Sequence, residues 1–299
     1  MRNKVLVVGS LNYDIILKAA RLPEQGETMP VEGCTFAAGG KGANQAVQAA
    51  KLGVETYMAG CVGNDPMGEF LLRSAEQYGL HTDFVRITDA PTGLGIVHAL
   101  GNGNVHASIV RGANFEISRD DIDALESVLD DTELVILQME IPQDINRYVI
   151  DKAGEHGCRI LLNAAPAEEL EEEYLKKCDI LVVNEVEASF YAGRTAASLQ
   201  EGAEMALEMS KKLGNTVVIT MGSAGAAVSD GASSGMIPSL KVDAIETTGA
   251  GDSFIGGIAY SVMKGMNIFD GSRFATRCSA VTVTRAGAQK SMPVLEEII

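Results

Sequence analysis

Six short aliphatic runs, set apart by stretches of helical spacing, restrict this chain to a small number of architectures. The runs are Val5–Val8, Thr56–Val62, Leu134–Met139, Ile160–Asn163, Ile180–Val183 and Val217–Thr220. Each is continuous and rich in β-branched residues, the pattern of a strand buried on both faces. Between them apolar residues recur three and four apart, as at Ala43, Ala46, Val47 and Ala50, or at Ile122, Leu125 and Leu129. A helix between two strands brings the chain back across the sheet, so the second strand pairs parallel to the first. The succession predicts an α/β fold: a three-layer α/β/α sandwich with a mostly parallel central sheet.

Two segments break the alternation, about 15–38 and 92–111. The second places Leu94, Ile96, His98 and Leu100 at alternate positions before Gly101-Asn102-Gly103-Asn104, a hairpin signal. We expect these segments to form a small β-sheet lid on a single unit spanning 1–299. A further strand is expected at Met236–Val242, and the acidic run Glu168–Glu173 reads as a solvated helix face.

Composition narrows the function. With 46% hydrophobic residues over 299 positions the chain can bury a large core, and its formal charge of −16 argues against a nucleic-acid partner. Such a chain must neutralise any bound phosphate locally. Cys34, Cys61, Cys158, Cys178 and Cys278 are scattered with no CxxC pair, so each is expected as a small buried hydrophobe in a reducing, cytoplasmic setting. No segment reaches the roughly 18 apolar residues of a membrane-spanning helix, and no membrane partner is expected.

Chemistry concentrates in two glycine-rich segments. Thr247-Thr248-Gly249-Ala250-Gly251-Asp252 opens an apolar helical stretch that runs to Met263. Backbone N–H groups converge at such a start and the helix dipole favours anions there. Asp252 falls in the first turn, where a carboxylate also caps free N–H groups, and for this segment alone capping is the stronger reading. Gly39-Gly40-Lys41-Gly42-Ala43-Asn44 also joins a strand to a helix, with Lys41 and Asn44 among residues too small to obstruct a polyol. Asn12 and Asp14 follow the first strand, where open α/β sheets place ligands; singly they read as turn formers, although Asp14 could accept two sugar hydroxyls. The phosphate motif is neither GxxxxGK[ST] nor GxGxxG, which ranks a dehydrogenase last.

Together, Gly39–Ala46 and Thr248–Phe254 resemble the two signatures of the ribokinase, or PfkB, carbohydrate kinase family. The resemblance extends over Gly9–Asp14, Gln138-Met139-Glu140, Asn163–Ala167, Asn184–Ala188 and Val283–Gln289. It implies a central sheet between helices with a β lid that often pairs two subunits, hence a homodimer. It implies ATP-dependent phosphorylation of D-ribose at its 5-hydroxyl, with Asp252 as base and Gly249, Ala250 and Gly251 as anion hole. Sugar contacts are implied for Asn12, Asp14, Gly40, Lys41, Asn44 and Glu140. ATP contacts are implied for Asn184, Thr220, Gly222, Ser223, Gly225, Gly251 and Thr276, with Glu187 ordering Mg²⁺ through water.

The resemblance also implies a potassium site from Glu246, Thr248, Thr282, Arg285, Gly287 and Ser291. Here Glu246 stands where an aspartate is usual, one methylene longer, and Thr276 where a histidine often lies beside the adenine. Arg111, at the end of the lid hairpin, reads as a surface arginine and leaves phosphorylated sugars open as substrates. The alternatives are a kinase of this family for deoxyribose, another sugar or a nucleoside, and a non-catalytic sugar or nucleotide sensor.

Overall fold

The computed structural model describes residues 2–101 and 105–298. In chain order its strands are β1 (Lys4–Val8), β2 (Asn12–Ala19), β3 (Gly33–Gly39), β4 (Glu55–Gly63), β5 (His81–Thr88), β6 (Gly93–Leu100), β7 (Val105–Val110), β8 (Thr132–Gln138), β9 (Arg159–Asn163), β10 (Ile180–Asn184), β11 (Thr216–Thr220), β12 (Gly225–Ser229) and β13 (Ser234–Pro238). Nine form the main sheet, in the order β13-β12-β11-β10-β9-β8-β1-β4-β5. Pairing is parallel from β5 to β11, and β12 and β13 add an antiparallel edge.

Alternate residues of the central strands enter two different cores. Leu6, Val8, Val135 and Leu137 pack on one face of the sheet, and Val5, Val7, Leu134 and Ile136 on the other. All eight are fully buried. Burial on both faces explains why these runs are continuous rather than alternating. Four helices carry the site: α1 (Lys41–Lys51), α2 (Glu185–Ala192), α3 (Ala250–Met263) and α4 (Ile268–Val283).

A second sheet of four strands, β3-β2-β6-β7, is the expected lid. Strand β2 pairs antiparallel with β3 and parallel with β6, setting Asp14 opposite Ala37 and Gly95. The predicted turn positions 102–104 lie outside the described residues, while the flanking β6 and β7 pair antiparallel as expected.

Four expectations need correction. The lid begins at Asn12 rather than 15, so Asn12 and Asp14 are strand residues and not turn formers. The strand predicted to reach Val242 ends at Pro238, beyond which Leu240 and Val242 are exposed. In the acidic run only Glu172 and Glu173 are helical; Glu168 is drawn off to accept from Gln143 at 3.1 Å and Arg111 at 3.2 Å. Cys34 is exposed on β3, unlike the other four cysteines. Burial pushes the thiols of Cys61, Cys178 and Cys278 up to about 12, consistent with their role as small apolar side chains.

Candidate active site

The sugar-side residues are stitched together from three parts of the chain. Ser10, just past β1, donates its hydroxyl to Glu140 Oε2 at 2.5 Å, and the same oxygen accepts the Lys41 N–H at 3.1 Å. The turn into α1 requires glycine at position 40: φ is +87°, and a Cβ there would lie 2.7 Å from the Asn12 nitrogen. Asn12 and Asp14 are two apart on β2 and so project from one face of the lid sheet. Asn12 Oδ1 accepts from Asn114 at 2.7 Å, and Asn114 also bonds both backbone groups of Leu11.

Asp14 lies over two glycines. A Cβ at Gly39 would meet its Oδ2 at 2.0 Å, and one at Gly95 its Oδ1 at 2.2 Å. The carboxyl is pushed up to about 7, by burial first and then by the charges of Glu140 and Asp252. Lys41 shows the opposite balance. Burial pulls its ammonium down, but Asp252, Glu140 and Glu187 outweigh burial and hold it above its ordinary value.

Asp252 is the meeting point. It occupies the third position of α3, after Gly249 in the left-handed conformation at φ +78°, and no side chain caps this helix. The capping reading is therefore corrected: Oδ2 accepts from Asn44 Nδ2 at 2.9 Å and Oδ1 from Gln45 Nε2 at 3.0 Å, both on α1. With the carboxylate drawn toward α1, the first turn of α3 keeps its free donors. Ala250 is the exception among the three expected donors, because its N–H turns back to the Thr247 carbonyl at 3.2 Å.

Gly251 and Ala250 also line a cavity of ≈ 650 Å³ that collects Thr220, Gly222, Ser223, Gly225 and Thr276. Six of the expected nucleotide-side positions are thus brought together. Asn184 and Glu187 stand outside that lining and form the start of α2: Asn184 Oδ1 accepts the N–H groups of Val186 and Glu187, and Glu187 Oε2 accepts the Asn184 N–H at 2.7 Å. Burial holds the Glu187 carboxyl above its ordinary value, offset by that bond and by Lys41.

Of the residues implied for a monovalent cation, Glu246 and Gly287 bond each other, and the side chains of Thr282, Arg285 and Ser291 have partners outside the set. Glu246 uses its extra length to accept the Gly287 N–H at 3.0 Å. The Thr282 hydroxyl lies within hydrogen-bond reach of both the Ser253 hydroxyl and the Cys278 carbonyl, Ser291 donates to the Ala288 carbonyl, and Arg285 pairs with Glu297. Thr248 immediately precedes the left-handed Gly249. Arg111 is paired with Glu168 and stacked over Phe115 at the surface, in line with the expectation of a surface arginine.

Reasoning from sequence missed Gln45, Gln48, Gln138 and Asn163. The signal was present, because three amides at 44, 45 and 48 interrupt an otherwise alanine-rich helix and all three are buried. Buried amides need partners. Gln48 Oε1 accepts from Ser253 at 2.8 Å, so two glutamines three residues apart hold two consecutive residues of α3. The helices approach closely enough for this at Gly256, where a Cβ would lie 2.4 Å from Gln48 Cγ.

Residues 2–295 match the family model described as pfkB family carbohydrate kinase. The ribokinase of Schizosaccharomyces pombe is 34% identical, covering 98% of this chain and 96% of its own length. The deoxyribokinase of Salmonella typhi is 32% identical over the same shares, 98% and 96%. The structure of Arabidopsis thaliana ribokinase complexed with ribose and ATP superposes with a TM-score of 0.89 at 31% identity, covering 100% of this chain and 98% of that one.

Proposed function

This chain belongs to the pfkB family of carbohydrate kinases, and from that premise we propose that it transfers the γ-phosphoryl group of ATP to the 5-hydroxyl of D-ribose. One observation carries the reading: a single carboxylate, Asp252, joins the two halves of the site. It is bonded to Asn44, in the first turn of α1 on the sugar side, and sits one residue beyond Gly251, which lines the nucleotide cavity. The solved ribokinase complex holds ribose and ATP together on the same fold. The deoxyribokinase relative supports a second reading, deoxyribose, because that sugar keeps the 5-hydroxyl.

In this reaction the sugar hydroxyl oxygen forms a bond to the γ-phosphorus as the bond to the β–γ bridging oxygen breaks. The hydroxyl proton becomes acidic late in a loose transition state, and Asp252 orients it and then accepts it. The products are ribose 5-phosphate and ADP. Free N–H groups at Gly249 and Gly251 would face the transferring phosphoryl oxygens, where fixed donors act most strongly. Lys41, held charged by three carboxylates, adds a cation in a chain whose net charge is −16. Closure of the lid carrying Asn12 and Asp14 would exclude water as a competing acceptor.

Among the described residues no group of three or more His, Cys, Asp or Glu is placed to hold a metal ion. Mg²⁺ would therefore be held mainly by the nucleotide phosphates, whose charge it offsets, with Glu187 contacting its water shell. The arrangement supports a potassium role less, since the Glu246 carboxylate is engaged by Gly287. Pairing of two copies through the lid is supported by the exposed apolar side chains of Phe36 and Val110, which lie on the face opposite Asp14. A single unit carrying its own lid, residing in the cytoplasm, completes the proposal. No helix among the described residues is long and apolar enough to cross a membrane.

A coupled ADP-release assay across D-ribose, 2-deoxy-D-ribose, hexoses, sugar phosphates and nucleosides, with and without potassium, tests the reading. Ribose should give the highest kcat/KM. If ATP binds but no sugar stimulates ADP release, the chain is a sensor and the kinase proposal fails.

A further inference from the structure

We propose that Gln45, braced by Gln138 and Asn163, is a positioning residue that fixes the Asp252 carboxylate for proton acceptance; this rests on the kinase reading above. The Gln45 side chain is completely buried and every polar atom on it is used. Its Nε2 donates to Asp252 Oδ1 at 3.0 Å and to Asn163 Oδ1 at 3.0 Å. Its Oε1 accepts from Gln138 Nε2 at 2.9 Å. Asn163 is itself tied down, donating to the Val182 carbonyl at 3.2 Å.

The direction of these bonds is forced from the Asp252 end. An ionised carboxylate only accepts, so the Gln45 nitrogen must face it. The Gln45 oxygen then faces Gln138, which must present its nitrogen. A flip of the Gln45 amide would set oxygen against the oxygens of Asp252 and Asn163 and nitrogen against that of Gln138. The amide is thus held in one orientation by strands β8 and β9, which are packed in the centre of the main sheet. Asn44 holds the other carboxylate oxygen from the same helix. Each oxygen keeps a lone pair for the sugar hydroxyl, and neither can swing back to cap α3.

An anchored acceptor is worth more than a loose one because a misplaced base costs rate and not affinity. The test compares Gln45→Met, which keeps the volume without donors, Gln138→Met, and the double variant. Gln45→Met should lower kcat by roughly 10–100-fold with KM for ATP changed less than about twofold. Gln138→Met, acting through Gln45, should lower kcat by less, and the double variant should be no worse than Gln45→Met alone. Carbon NMR of the Asp252 carboxyl at a single pH gives a readout independent of any sugar: losing the Gln45 donor should displace that carbon resonance in Gln45→Met and, by less, in Gln138→Met. Wild type lacking sugar-dependent turnover would overturn the kinase reading, while this NMR shift would still stand or fall by itself. Unchanged turnover and an unchanged Asp252 carboxyl resonance in a folded Gln45→Met overturn the proposal. If that variant does not fold, an unchanged Asp252 carboxyl resonance and kcat in Gln138→Met do so.

Discussion

The proposed sugar side of the site and the proposed nucleotide cavity meet at Gly251 and Asp252, yet they are furnished differently. Around the sugar side Asp14, Lys41, Glu140 and Asp252 act on one another as charges, and the neighbouring amides are fixed by named partners. In the cavity the hydroxyls of Thr220, Ser239, Thr276 and Ser279 each donate to a backbone carbonyl, and Leu240, Val242, Phe254 and Val283 supply apolar walls. On the proposed function, one half would recognise by fixed polar groups, which reject a molecule that leaves them unpaired. The other would hold the body of a nucleotide mainly by shape and apolar contact.

The contrast can be broken most severely at the junction. Asp252→Asn keeps the size of the side chain but cannot accept a proton as a carboxylate does, so kcat should fall by roughly 10³-fold or more while ATP affinity stays within about twofold. Single-turnover kinetics with equilibrium ATP titration checks this. Next in size is Gly95→Ala, whose Cβ would lie 2.2 Å from Asp14 Oδ1. Displacing that carboxylate should raise KM for ribose by roughly 10-fold with a smaller change in kcat.

A third experiment uses pH. The Asp14 carboxyl is raised from 3.8 to about 7 in the folded chain, so between those values the folded state retains a proton that the unfolded state releases. Stability of the free protein should therefore fall as pH rises through that window. Asp14→Asn should flatten the slope between pH 5 and 8 by about 1–3 kcal/mol, after allowance for solvent screening, in denaturant titrations at the two pH values. The smallest effect belongs to the cavity: Thr276→Val removes a hydroxyl that only serves the Ser272 carbonyl, and KM for ATP should change less than about twofold. A larger change would show that the base is read by that hydroxyl, and the contrast would narrow.

The main sheet was legible because strands buried on both faces leave uninterrupted aliphatic runs, as at Val5–Val8. Strand β5 was not, since an edge strand with exposed His81, Arg86 and Ile87 carries no such run. The glycine loops were legible as loops, and the helical stretch that follows the second was traced to its end at Met263. The orientation of Asp252 was hidden, because whether a first-turn carboxylate caps its own helix or leans on a neighbour depends on packing 207 positions away, at Gln45. Asn12 and Asp14 misled for a related reason: their local preference is for turns, and pairing with Gly93 and Gly95 overrides it.

That 207-residue separation between Gln45 and Asp252 has a meaning for the chain as it is made. Synthesis at about 5–20 residues per second delivers the sugar loop roughly 10–40 seconds before the acceptor carboxylate leaves the ribosome. Until then α1 has no α3 to grip, and Asn44, Gln45 and Gln48 have no long-range partners there. On the proposed role of Asp252, nascent chains should be biosynthetically silent: a chain cut short before residue 252 would hold the sugar-side segment without the carboxylate proposed to accept the proton, and should not spend ATP.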